Sequence, residues 1–123
     1  MILKDKFYTV ERLTTEGGNI HATLHLNARH RIFEGHFPGQ PVVPGVCMVQ
    51  MIRELLEAVT SKTLRLQQSD YIKFLSVIDP SKQKLVAADV RYIEKESGKL
   101  EVLASLHAEE RICFKMKAVF IVV

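Results

Sequence analysis

Residues 35–46 read Gly35-His36-Phe37-Pro38-Gly39-Gln40-Pro41-Val42-Val43-Pro44-Gly45-Val46. Prolines at 38, 41 and 44 remove backbone donors, and the glycines between them favour turns over regular elements. The hydrophobic period already lapses at Ala28 and does not return before Val43. That is a long connection for a small protein, and long connections in compact domains tend to carry function. At Pro44 the character of the chain changes. Proline suits a first helical turn, because its missing N–H would have no intrahelical acceptor. The spacing then predicts a helix from Pro44 to Thr60. Its first half (Val46, Cys47, Met48, Val49, Met51, Ile52) is apolar almost all round, which predicts burial on nearly every side. Its second half is amphipathic, with Leu55, Leu56 and Val59 set against Arg53, Glu54 and Glu57.

Outward from this helix the periods become those of strands. Phe7 to Leu13 leads into Gly17-Gly18-Asn19, a turn signal. Ile20, Ala22, Leu24 and Leu26 then alternate with His21, Thr23, His25 and Asn27, so a hairpin is expected there. His21 and His25 share the polar face, and with no third ligand nearby they read as exposed strand residues. After the helix, Tyr71 to Ile78 reads as a strand closed by Asp79-Pro80-Ser81-Lys82. Leu85 to Ile93 reads as another, closed by Lys95-Glu96-Ser97-Gly98, and two alternating runs follow, Leu100 to Leu106 and Ile112 to Phe120. Tight turns imply antiparallel neighbours. Two strands, one buried helix and four strands make an α+β layout in which a sheet covers one helix.

The chain has 123 residues, enough for a single domain over 1–123 with one core, and 47% of them are hydrophobic. No apolar run approaches the roughly 20 residues of a membrane span, and Lys4 and Asp5 interrupt the N-terminus too early for a signal peptide; both favour the cytoplasm. The net charge is +3, with lysines and arginines scattered rather than striped, which argues against a nucleic-acid surface and suits an acidic protein partner. Cys47 and Cys113 lack metal-ligand spacing and read as reduced, buried thiols.

The stretch 35–46 resembles the GHFPGxPVxPGV signature of the bacterial (3R)-hydroxyacyl-(acyl-carrier-protein) dehydratases, and every fixed position of that pattern is met. Lys73-Phe74-Leu75 through Asp79-Pro80 resembles the family's Phe-containing strand and the turn after it. The resemblance implies a hotdog fold, a long helix wrapped by a curved antiparallel sheet. It implies a homodimer or larger homo-oligomer with an acyl tunnel at the interface. It also implies elimination of water from a hydroxyacyl thioester of acyl carrier protein, giving a trans-2-enoyl thioester, with no metal or organic cofactor. His36 matches the catalytic histidine, the base for the C2 proton. The amides of Gly45 and Val46, at the helix start, are placed to polarise the thioester carbonyl. Gly35 and Gly39 would let backbone approach the substrate, with Phe37 beside them.

One position departs from the pattern. Family dehydratases carry Glu or Asp on the helix fourteen positions after the histidine, and here that residue is Gln50. An amide can hydrogen-bond a hydroxyl but delivers no proton, and general acid–base help is worth about 10²–10⁴-fold in rate. Three readings follow. Gln50 orients the hydroxyl while another group supplies the proton; or Glu54 or Glu57, otherwise a solvated polar stripe, substitutes; or the chain is a non-catalytic acyl-binding or accessory subunit of a partner dehydratase. Thioester hydrolysis, which other hotdog proteins perform, is a further alternative. On sequence alone, Gln50→Glu should restore the family's proton donor.

Overall fold

The computed structural model describes residues 2–34 and 41–123. Strands β1 (Tyr8–Glu16) and β2 (Asn19–Leu26) form the expected hairpin, turning at Gly17 with φ +60°. Gly18 is required for a different reason. A Cβ there would stand 2.2 Å from the carbonyl oxygen of Tyr92, whose own N–H donates to the Gly18 carbonyl at 2.8 Å. Helix α1 (Gly45–Thr60) follows, then β3 (Leu64–Phe74), β4 (Leu85–Lys95), β5 (Lys99–Ala108) and β6 (Arg111–Val122). Among the described residues the six strands pair antiparallel, in the order β1-β2-β4-β5-β6-β3, so β1 and β3 are the sheet's edges.

The period-two runs decide which face is covered. Ile20, Leu24, Val86, Val90, Leu100, Leu106, Phe114 and Phe120 are buried on the inner face, with Cys47, Met51, Ile52, Leu55 and Leu56 of α1 in the same core. Each such side chain is worth about 1.5–3 kcal/mol when removed from water. On the outer face His21 is exposed and paired with Asp89, whose second carboxylate oxygen lies 3.4 Å from His107 Nε2, while His25 is half-buried. Among the described residues no three-ligand metal cluster occurs.

Two expectations need correction. The strand read as Tyr71–Ile78 begins at Leu64 and ends at Phe74. Register shifts at Leu66/Gln68 and Ser69/Tyr71 break its alternation, and the edge position tolerates the polar run Gln67 to Asp70. The first half of α1 is not covered on every side either: Val46 is 64% exposed, while its neighbours Cys47 and Met48 are buried.

Candidate active site at the helix start and Gln50

Gly35, His36, Phe37 and Gly39 lie outside the described residues. The segments that lead into and out of that stretch are fastened. On one side a single 3-10 turn, Arg31–Phe33, is capped by His30, whose Nδ1 accepts the Ile32 N–H at 3.1 Å. Phe33 is buried against Phe7, ring centroids 5.3 Å apart. On the other side the Val43 N–H donates to the Ile78 carbonyl at 2.9 Å. His30, a loop residue by sequence, is thus a local cap.

The helix then starts as its sequence dictates. Pro44 takes the extended N-cap conformation, and its carbonyl accepts the N–H of Cys47 at 3.0 Å and of Met48 at 3.2 Å. Its side chain makes no capping hydrogen bond. Gly45 allows a close approach: a Cβ there would meet the ring of Phe74 at 2.6 Å. Phe74 itself is 58% exposed, and with Val46, Leu75 and Val77 it leaves large apolar side chains in the open beside the helix start.

Gln50 stands one turn beyond Val46, on the same face of α1. Its Nε2 donates to Glu54 Oε2 at 2.7 Å. Glu54 is the one charged residue in the buried set among the described residues. The Leu3 N–H reaches Oε2 at 2.8 Å, while the Lys4 N–H and the Tyr8 hydroxyl both reach Oε1 at 2.8 Å. Each oxygen therefore accepts from two donors, the arrangement of an acceptor-only carboxylate. That chemistry also fixes the Gln50 amide, since only its nitrogen can face such a partner. Burial first, then the hydrogen bond and charge of Glu54, push the Tyr8 phenol well above the usual range. Burial and the same charge push the Cys47 thiol up to about 11.

The solvated stripe expected at Glu54 and Glu57 is therefore absent. Glu57 is half-buried, accepts the Leu64 N–H at 2.8 Å and lies 3.6 Å from Arg53. Glu54 has four donors converging on it, three of them from the first eight residues, so its carboxylate is engaged in holding structure. Sequence reasoning missed its real role. The i,i+4 spacing from Gln50 was visible, but the cover comes from Leu3, Lys4 and Tyr8, at least 46 residues away.

An ApeI-like family model, described as ApeI dehydratase, matches residues 12–116. The 3-hydroxyacyl-[acyl-carrier-protein] dehydratase FabZ of Shewanella woodyi is 29% identical over 82 residues, 65% of this chain and 54% of its own length. The FabZ of Deinococcus radiodurans is 27% identical over 119 residues, 88% of this chain and 82% of its own. The chain spans little more than half the length of the first of these curated relatives. The dehydratase heterocomplex ApeI:P from Xenorhabdus doucetiae superposes with a TM-score of 0.74 over 93% of this chain and 97% of that one, at 16% identity, which shows a common hotdog fold. With the family match running from β1 into β6 and the whole helix between them, the chain belongs to the ApeI-like dehydratase family.

Proposed function

We propose that this protein eliminates water from (3R)-hydroxyacyl thioesters of acyl carrier protein, giving trans-2-enoyl thioesters in fatty-acid synthesis or a related lipid or polyene pathway. The observation that carries this reading is the complete signature from Gly35 to Val46, running into a helix start where Gly45 admits the Phe74 ring. In the proposed reaction, Gly45 and Val46 amides draw electron density onto the thioester oxygen, and His36 takes the C2 proton. The C2 electron pair forms the new double bond as the C3–O bond breaks. The departing hydroxide takes the proton back from the imidazolium and leaves as water, so His36 is restored without an acid at position 50. Gln50 holds the hydroxyl, with Gly35, Phe37 and Gly39 against the acyl chain. No metal or organic cofactor is required for these steps.

Pairing with a second copy, to form a homodimer or larger homo-oligomer, is part of the same reading. The outer edge of β3, without a strand partner among the described residues, and the exposed apolar side chains at Val46, Phe74, Leu75 and Val77 suit such a partner. Two free, buried cysteines suit the reducing cytoplasm, where we place the reaction. A second reading is favoured by Gln50 alone: an acyl-binding accessory subunit that serves a partner dehydratase. Enoyl formation from a carrier-linked 3-hydroxyacyl substrate separates the two. Turnover by the purified chain supports the enzyme. Turnover that appears only when a partner subunit is added, and survives His36→Ala, supports the accessory role.

A further inference from the structure

Three of the four donors to Glu54 come from the first eight residues and the fourth is Gln50, so one carboxylate joins the N-terminal segment to the helix turn that bears the proposed site. With Nε2 donating to Glu54, the other polar atom of the Gln50 amide is its carbonyl oxygen, which can only accept. We propose that Glu54 is a positioning residue: it turns the Gln50 carbonyl oxygen toward the acyl thioester, so that position 50 accepts a hydrogen bond from the substrate's 3-hydroxyl. For its substrate this rests on the dehydratase reading above.

The same contact makes a carboxylate at position 50 incompatible with the one at 54. Gln50→Glu would bring two carboxylates together where Nε2 now sits 2.7 Å from Oε2, and such a pair shares one proton. Among the described residues, the other titratable groups around Glu54 are Tyr8 on β1, Lys4 in the N-terminal segment, Cys47, Arg53 and Glu57 on α1, and Lys62 just after it. Arg53 faces Glu57, Lys62 faces Glu94 and Lys4 is exposed, so none of these cations is held against position 50. What sequence comparison presents as a restoration is therefore a repulsion, relieved only by exchanging both residues.

The test compares wild type, Gln50→Glu, Glu54→Gln and the exchange Gln50→Glu/Glu54→Gln as full chains. Thermal unfolding is followed from about pH 5 to about pH 8. In Gln50→Glu the folded pair has a raised pKa, so stability is present below the ordinary carboxyl range and lost as pH rises through the raised value. Its midpoint should fall with rising pH relative to wild type, and the exchange should remove that slope. A Gln50→Glu midpoint that tracks wild type at every pH overturns the proposal. Binding is then measured with non-reactive amide analogues of 3-hydroxyacyl-pantetheine and acyl-pantetheine. Wild type should prefer the hydroxylated analogue about fivefold, the worth of one hydrogen bond near 1 kcal/mol. Glu54→Gln should bring the preference close to unity while affinity for the plain acyl analogue holds. If Glu54→Gln does not fold, Glu54→Asp, one methylene shorter, carries the same comparison. Tyr8→Phe, which leaves the Glu54–Gln50 hydrogen bond in place, should keep the preference. A proportional loss of affinity for both analogues would make Glu54 merely structural and overturn the positioning role. A Glu54-dependent hydroxyl preference without enoyl formation would sink the dehydratase reading and support the positioning one. Enoyl formation with no dependence on Glu54 would do the reverse.

Discussion

Truncating Glu54 to alanine should cost this small protein a large share of its stability. The change strips partners from the Leu3 and Lys4 amides, the Tyr8 hydroxyl and the Gln50 amide at once. The Leu3 and Tyr8 bonds are buried, whereas Lys4 and Gln50 lie where water can reach. A buried donor left unsatisfied costs about 1–3 kcal/mol, so two of them give a loss of about 2–6 kcal/mol. Total stabilities run about 5–15 kcal/mol. With an unfolding entropy of about 2.1 cal/mol/K per residue, the melting temperature of this chain should fall by about 8–23 °C. Tyr8→Phe removes one donor and leaves Glu54 with three, so it should cost about 1–1.5 kcal/mol, or about 5 °C. Urea unfolding at neutral pH and thermal melts by circular dichroism measure both. A loss below about 1 kcal/mol for Glu54→Ala would refute the reasoning, because the N-terminal segment would then not be fastened to α1 through this carboxylate.

Two further predictions concern the neighbours of Glu54. Tyr8 has a raised pKa, so its neutral form is favoured in the folded state; the stability it contributes is complete below about pH 10 and is lost as pH rises beyond that. An absorbance titration should show Tyr8 forming phenolate only as the chain unfolds, a step missing in Tyr8→Phe; phenolate at Tyr8 in the folded protein would contradict this. Cys47, buried and with its thiol pushed up to about 11, should resist iodoacetamide at mildly alkaline pH while folded and react once unfolded. Rapid labelling of Cys47 in the native protein, read by mass spectrometry, would show the thiol to be more accessible than its packing implies.

Local patterns were enough wherever local physics decides the outcome. The Gly17-Gly18 hairpin, the helix from Pro44-Gly45 to Thr60 and the strands β4 to β6 all follow from period and turn chemistry. β3 was misplaced because its bulges and its polar edge residues hide the alternation that marks a strand. The exposure of Val46 was missed for another reason: an apolar side chain reports what could be buried, and not whether this chain supplies the cover. Glu54 is the hardest case. Between Arg53 and Leu55 on an amphipathic half-helix it reads as a surface charge. Only the return of Leu3, Lys4 and Tyr8 over the helix makes it a buried hub. At the proposed site, the signature and the departure at Gln50 were legible, but the orientation of the Gln50 amide needed its neighbour one turn along.

The proposed chemistry is tested most directly at the carbon that His36 is assigned to deprotonate. Elimination run backwards adds water to an enoyl thioester, and in deuterium oxide it must place deuterium at C2. Wild-type protein given a trans-2-enoyl thioester of carrier protein in deuterium oxide should yield 3-hydroxyacyl product labelled at C2, read by mass spectrometry. His36→Ala, folded to the same melting temperature, should leave C2 unlabelled. Labelling that persists undiminished in His36→Ala would contradict the assignment of His36 as the base, and an absence of labelling by wild type that still binds the thioester would contradict the dehydratase itself.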